Sequence, residues 1–426
     1  MLQKRNKKKR KTDLRSSSER PCYHQYNLHL IQYLLCLLLE SGIGFRTASK
    51  SSLIENRIYS DYKKTPSHTT LQNWVYKVGY HELTRPKEKA SDWIIILDHS
   101  IQLGSSKILV IYGIHSDNYD FSRALTYTDL TPLVIKIQSS WNSTQMKEEL
   151  LSLQEKIGHI AYAVADHCGN LRKGLELAGI PQIHDISHRI ALLLEKRYLK
   201  DDDFIKFNQG LSRMRSKLVQ SSLAHLVPVS PRKKSIYQNL GKTARWASGI
   251  LNALHGGKLS EAEIRAVEWM LPYEPLVDEL ENLNRTISRM EECVKNRGLS
   301  KNTIMEMNAM VNQSQKELSD KGMRIIHKIM EYCKETSGML PEYKKLLCTS
   351  DIIESAFGKY KNLSSENPMA CVTKMVLALA AITVEITTET VKNVLEEVKL
   401  KDIDKWEKDY IGTTVFKNRC AIYSAT

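Results

Sequence analysis

Asp98, Asp166 and Glu354 are the residues of this chain whose types and settings best suit metal-dependent chemistry. Asp98 closes the run Trp93-Ile94-Ile95-Ile96-Leu97, an apolar stretch bounded by polar residues. Such a run predicts a buried strand, and the carboxylate that ends it stands at the rim of a sheet. A buried carboxylate needs a partner: a metal ion is one reading, and a cap on the following turn is the other. Asp166 repeats the pattern at the end of His159–Ala165 (HIAYAVA) and leads through His167-Cys168-Gly169-Asn170 into a helix. Glu354 lies in Thr349–Lys361, where Ser350 can cap a helix and Ile353, Ala356 and Phe357 make an apolar face. Lys359 and Lys361 follow as candidate phosphate contacts. Simple stabilisation of a helix N-terminus is the competing role for Glu354, and Asp351 competes with it as the acid.

A strand-rich stretch must position the two aspartates. Trp93–Leu97, Lys107–His115 and Leu133–Gln138 predict three strands, with Gly104-Ser105-Ser106 as the first turn. A helix over Ser143–Ile157, a strand over His159–Ala165, a helix over Leu171–Ala178, a short strand over Gln182–Ile186 and a helix over Ser187–Tyr198 follow. A three-strand meander and then alternating helices and parallel strands is the element order of an RNase H-like domain. In such a sheet the first and fourth strands are neighbours, so Asp98 and Asp166 come close together. Like charges that close destabilise each other unless a divalent cation neutralises them. A third acid is then expected from a helix packed beside these strands, the place Glu354 would take.

The flanks are helical. Residues 204–345 show helical spacing, broken by Pro228, Pro231, Pro272, Pro275 and Gly298, and predict long helices over Leu276–Val294 and Asn302–Tyr332. A last helical region starts near Ser350 and runs through Met369–Val391. Upstream, Tyr26–Glu40 predicts an apolar helix, and a second carries Leu53, Ile54 and Ile58. Ser67 caps a third, ended by Gly79, with Leu71, Trp74, Val75 and Val78 on its inner face. With Thr69, Gln72, Asn73, Tyr76 and Lys77 outward, this unit resembles a helix-turn-helix, and Thr69, Gln72, Asn73 and Lys77 are its candidate DNA contacts. Residues 1–20 form a basic arm, with Lys7, Lys8, Lys9 and Arg10 at its centre and only Asp13 and Glu19 against it. Such an arm adds sequence-independent phosphate affinity.

The formal net charge of +14 points to a polyanionic partner, nucleic acid first. The eight cysteines are scattered without a C-x-x-C pair, which excludes a zinc framework or a disulfide scaffold and suits a reducing compartment. The longest apolar stretch, Leu28–Leu39, contains His29 and Gln32 and is too short to span a bilayer. A soluble intracellular protein with no membrane partner is expected.

Asp98, Asp166 and Glu354, on strand, strand and late helix, resemble the DDE triad of RNase H-like transposases, over roughly residues 92–395. The all-α stretch before Glu354 is similar to the insertion domain of hAT-like transposases. Two short motifs resemble that group: His184-Asp185-Ile186-Ser187-His188 after the fifth strand, and Arg245-Trp246 within Lys242–Ser248. Its N-terminal zinc-finger pattern is not found here. Asp98, His99, Ser100, Gln102 and Gly104 resemble the D-H-S-x-Q-x-G start of bacterial insertion-sequence proteins.

The implied fold class is α/β: an RNase H-like mixed-sheet catalytic domain, interrupted by an all-α insertion and preceded by an α-helical helix-turn-helix domain. The expected boundaries are a basic arm at 1–21, the helix-turn-helix at 22–88, catalytic segments at 89–203 and 346–395, the insertion at 204–345 and a tail at 396–426. The resemblance implies a DNA transposase of a bacterial cytoplasm, associated with the nucleoid. It implies two Mg²⁺ ions, about 4 Å apart and replaceable by Mn²⁺, with Asp98 bridging both and Asp166 and Glu354 each holding one. Double-stranded DNA, as element ends and target, is the implied partner, bound by a homodimer or higher oligomer. His184, Asp185, His188 and Arg245 are candidates for support of the site. The H-x-x-x-H spacing of the two histidines can also bind zinc, though no third ligand is evident. Trp246 is either core or an aromatic that stacks on a DNA base. Two other functions fit the same residues: a non-catalytic DNA-binding regulator or domesticated transposase, and a hydrolytic RNase H-like nuclease.

Overall fold

The computed structural model describes residues 19–59, 64–103, 106–116, 123–229, 240–340, 345–364, 372–412 and 415–424. Three helices come first: α1 (Leu28–Leu39), α2 (Phe45–Tyr59) and α3 (His68–Thr84). Strands β1 (Ala90–Leu103), β2 (Ser106–His115) and β3 (Thr131–Gln138) follow, then α4 (Ser143–Ile157), β4 (Gly158–Ala165), α5 (Gly169–Leu177) and β5 (Gln182–His184). The next run is helical: α6 (Ile186–Tyr198), α7 (Asp202–Leu218), α8 (Leu240–His255), α9 (Glu261–Val267), α10 (Glu274–Arg297), α11 (Lys301–Ser314) and α12 (Asp320–Met339). The chain closes with α13 (Asp351–Ser364), α14 (Ala378–Ala381), α15 (Thr388–Glu397), α16 (Leu400–Tyr410) and α17 (Val415–Ser424).

The five strands form one mixed sheet in the order β3-β2-β1-β4-β5, compatible with an RNase H-like fold. β1 and β2 pair antiparallel, as do β2 and β3, whereas β4 runs parallel to β1. The uninterrupted apolar run of β1 reflects burial on both faces: Ile94, Ile95, Ile96 and Leu97 are all buried. One face packs Trp93, Ile95 and Leu97 against Met146, Leu150 and Leu153 of α4 and Leu171 and Leu175 of α5. Across the other, the Tyr112 hydroxyl of β2 donates to the Leu379 carbonyl of α14 at 2.8 Å. Gly158 opens β4 at φ +93°, where an added Cβ would stand 2.3 Å from the Ala90 carbonyl oxygen, so a bulkier residue there would push β1 and β4 apart.

Two compact units share the chain. The first is built from residues before 120, from 125–182 and from 350 on; the second is chiefly residues 183–349. The first three helices, expected as a separate domain over 22–88, therefore belong with the sheet, as does the expected tail from 396. α3 packs against α14, α15 and α16. It does not stop at Gly79, which lies mid-helix and lets α3 approach Leu377: a Cβ there would meet the Leu377 carbonyl oxygen at 2.0 Å. The same packing corrects the outward face expected of α3. Tyr76 and Lys77 are buried, and the Lys77 Nζ donates to the Leu395 carbonyl at 2.9 Å.

In the second unit Phe207, Leu211, Ala247, Leu251, Met270 and Val277 form a core shared by α7, α8 and α10. The single helix expected over Asn302–Tyr332 is two, because Ser319 caps a new helix by accepting the Gly322 N–H. The two ends of the unit are tied together: the Ile186 N–H donates to the Cys348 carbonyl at 2.9 Å, and Leu299 and Leu346 exchange backbone hydrogen bonds of 2.8 Å. The last helical region, expected from near Ser350 through Met369–Val391, is α13, a 3-10 turn at Lys374–Leu377, α14 and the start of α15, with residues 365–371 outside the described residues.

Candidate active site

The parallel pairing of β1 with β4 sets the two aspartates side by side. Leu97 pairs with Ala165, so Asp98 and Asp166 are the next residues on neighbouring strands, whose backbones lie about 4.8 Å apart. Asp98 is 5% exposed and faces Val110 of β2; the register shifts between Asp98 and Ile101. A shift of this kind bends a strand and re-aims its side chains. Asp166 is half-buried, and its backbone carbonyl accepts from the Gln182 side chain at 3.2 Å.

Two residues beside this pair were not among the candidate site residues. The His99 Nδ1 lies 3.9 Å from Asp98 Oδ1, and its Nε2 lies 3.6 Å from the sulfur of Cys168. Cys168 stands immediately before α5, so the contact joins β1 at His99 to the turn that follows Asp166. The sequence held two hints to His99: its place in the D-H-S-x-Q-x-G run, and the histidine that follows each aspartate, Asp98-His99 and Asp166-His167.

Glu354 is exposed in the first turn of α13, and α13 packs against β1. The helix is held in register by Ser355, whose hydroxyl lies 2.6 Å from that of Tyr127. Lys359, expected as a phosphate contact, lies over the Tyr127 ring at 4.3 Å and donates to the Leu39 carbonyl at the end of α1 at 3.0 Å. Its charge is thus engaged at a helix C-terminus, where the backbone dipole favours it; burial pulls its pKa down. Lys361 is exposed. Asp351, the alternative acid, is also exposed.

Among the described residues no group of three or more His, Cys, Asp or Glu side chains stands together in a way that could hold a metal ion. The fold sets Asp98 and Asp166 next to each other where the β1–β4 pairing stops, and Glu354 on a helix against β1; β1 itself continues past Asp98 to Leu103, beyond the strand expected over Trp93–Leu97. Two adjacent carboxylates offer the hard oxygen donors a divalent cation of the Mg²⁺ class takes.

The remaining candidates have contacts of their own. Asp185 is fully buried and caps α6, accepting the His188 N–H at 2.9 Å, with His188 Nδ1 at 3.2 Å. The His184 carbonyl accepts from the Tyr332 hydroxyl at 2.8 Å. These contacts all fall within the second unit. There Arg245 is exposed and Trp246 is partly buried against the helical core. Thr69 is exposed at the start of α3, and Gln72 and Asn73 are half-buried. Lys7, Lys8, Lys9 and Arg10 lie outside the described residues.

No family model matches the chain, and no curated protein matches it. Among solved structures it is similar to the Drosophila P element transposase strand transfer complex. That similarity has a TM-score of 0.40 at 13% identity and covers 93% of this chain and 99% of that one. No helix among the described residues is long and apolar enough to cross a membrane.

Proposed function

We propose that this chain is a DNA transposase that binds the ends of an element and catalyses metal-dependent strand cleavage and strand transfer. The observation that carries the reading is the register in which the β1–β4 pairing stops at Leu97 and Ala165, with Asp98 and Asp166 the next residue on each chain segment. The packing of α13 on β1 supports Glu354 as the third acid. Asp98 and Asp166 would hold a divalent ion of the Mg²⁺ or Mn²⁺ class, with Glu354 completing the set. Bound there, the metal supplies charge stabilisation of the phosphate and a nucleophile at neutral pH.

The chain's own part is positional. β1 and β4 fix the two aspartates through backbone pairing, and His99 and Cys168 brace the turn behind them. Tyr127 and the Leu39 carbonyl hold α13, and so the Glu354 backbone, against the sheet unit. The exposed Thr69 at the start of α3 and the basic arm would contact DNA. The burial of Lys77 removes it from that surface and disfavours a regulator that reads DNA with the length of α3. A bacterial insertion sequence as the source, kinship with hAT-like transposases, a nucleoid-associated location and a dimer or larger assembly on two DNA ends belong to the same reading.

The test uses a labelled element-end duplex, a target plasmid and Mg²⁺ with wild type and Asp98→Ala. Joined product from wild type and none from the variant is expected. Cleavage without joining would make the protein a nuclease, and undiminished activity of Asp98→Ala would refute the assignment.

A further inference from the structure

A groove of about 660 Å³ opens in the sheet unit between the end of α3, strand β3, α4 and α16, away from the candidate triad residues, none of which lines it. Its size is that of a pocket for a small organic group. Its floor is apolar, with Leu133, Ile135, Leu153 and Ile157 among the lining residues. Over it stand two aromatic rings one helical turn apart on α16: Trp406, buried, and Tyr410, 48% exposed. Their centroids are 5.6 Å apart at an interplanar angle of 25°, a stacked pair that leaves Tyr410 open to groove and solvent.

The rim is cationic. Arg85, Lys87, Lys89, Lys136 and Lys156 line the groove against Glu149 and Glu155. Several of these charges are already matched: Arg85 and Lys87 by Glu82, and Lys136 by Glu149 at 2.5 Å. Lys89 and Lys156 are exposed and enter no salt bridge among the described residues. Ala90 pairs with Gly158, so the backbones of these two groove-lining lysines lie near the same strand pair. Exposed ammonium groups on one rim draw an anion to it.

We propose that this groove binds single-stranded nucleic acid, one unstacked base lying on Tyr410 over the apolar floor and adjoining phosphates on Lys89 and Lys156. An aromatic platform beside a cationic track is how proteins take single strands without reading sequence. The inference rests on the reading of the chain as one that acts on DNA, and it places the displaced or flanking strand in a site apart from the acids. An acidic peptide is the competing occupant. It would use the lysines but leaves the stacked ring pair without a role.

The test is equilibrium binding of a short labelled single-stranded oligonucleotide to the full chain by fluorescence anisotropy in EDTA. Omitting divalent metal makes the result independent of whether Asp98 and Asp166 do chemistry, so failure here and failure of the transposase reading are separate results. Tyr410→Ala is expected to weaken binding about tenfold, the effect of losing one base–aromatic stack, and Tyr410→Phe to retain it. The double variant Lys89→Gln with Lys156→Gln is expected to reduce the slope of log affinity against log salt by about 1.4, two single-strand phosphate contacts. Thermal melting of each variant confirms its fold. Wild-type affinity in Tyr410→Ala and an unchanged salt slope in the lysine variant would overturn the proposal, as would a polyglutamate peptide that displaces the oligonucleotide at lower concentration than unlabelled single strand does.

Discussion

Asp98 and Asp185 are both buried aspartates with a histidine close by, one in each unit, and their surroundings differ in kind. Asp185 sits at a helix start and accepts the His188 N–H at 2.9 Å, with the same residue's ring nitrogen at 3.2 Å. Its charge is answered within one turn, by the helix it caps. Asp98 lies within β1 directly after its last pair with β4, where that parallel neighbour runs into a second aspartate, and the His99 Nδ1 stands 3.9 Å from its Oδ1. A carboxylate answered by its own helix serves the fold. One set beside another carboxylate is where a divalent cation would lower the repulsion, and the proposed function rests on Asp98 and Asp166 being such a pair.

Substitution puts this contrast at risk most directly. Asp98→Asn is expected to lower metal-dependent strand cleavage by about a thousandfold or more, the equivalent of several kcal/mol of charge stabilisation from a bound metal. Its thermal midpoint should stay level or rise, since a like-charge neighbour is gone. Asp185→Ala is expected to show the opposite pattern: about 1–2 kcal/mol of stability lost with the N-cap, and cleavage per folded molecule far less affected. Equal losses of cleavage in the two would erase the distinction.

A glycine in each unit extends the comparison to packing. Gly79→Ala should destabilise the sheet unit by about 1–3 kcal/mol, because the new methyl group would stand 2.0 Å from the Leu377 carbonyl oxygen. Gly249→Ala, on the exposed side of α8 with nothing within 4 Å, should stabilise the helical unit by about 0.5–1 kcal/mol through helix propensity alone. Urea midpoints of the two proteins, moving in opposite directions, are the expected result.

The smallest effect is a pH dependence confined to the sheet unit. Burial, and then the nearby Lys77, hold the His24 imidazole below its ordinary pKa. As pH falls below about 6.5 the unfolded chain takes up this proton before the folded one does. Stability that is full above that pH is therefore lost as pH falls toward the lower folded-state value. The urea midpoint should drop between about pH 7.5 and about pH 5.5, and drop less in His24→Gln.

The strands were legible because their signal is local. Trp93–Leu97 and His159–Ala165 are apolar throughout, and each is followed by a polar residue at the point where pairing ends. Two aspartates in line could be expected once the element order was read. α3 was not legible, because the residues that bury Tyr76 and Lys77 come roughly three hundred positions later, among 374–407. A polar face seen in one helix says nothing of a distant segment that will cover it. Gly79 misled for a related reason: glycine ends helices but also admits close neighbours, and only Leu377 decides which. His99 stood in a recognised run, but its contact with Cys168 became visible only when β1 and α5 were placed together.

The way the sheet unit closes has a bearing on its synthesis. Gln32 donates to the Ile386 carbonyl, Cys22 to Glu396, and Lys77 to Leu395, each across more than three hundred residues. Helices α1 and α3 therefore leave the ribosome long before the segments that cover them. A nascent chain halted within the helical unit would show apolar α1 and α3 to chaperones and proteases, with Asp98 and Asp166 already translated but Glu354 not. Completion of the hydrophobic core and completion of the acidic set thus come late in translation, within the same closing stretch. Truncated chains would be unstable before they could be active.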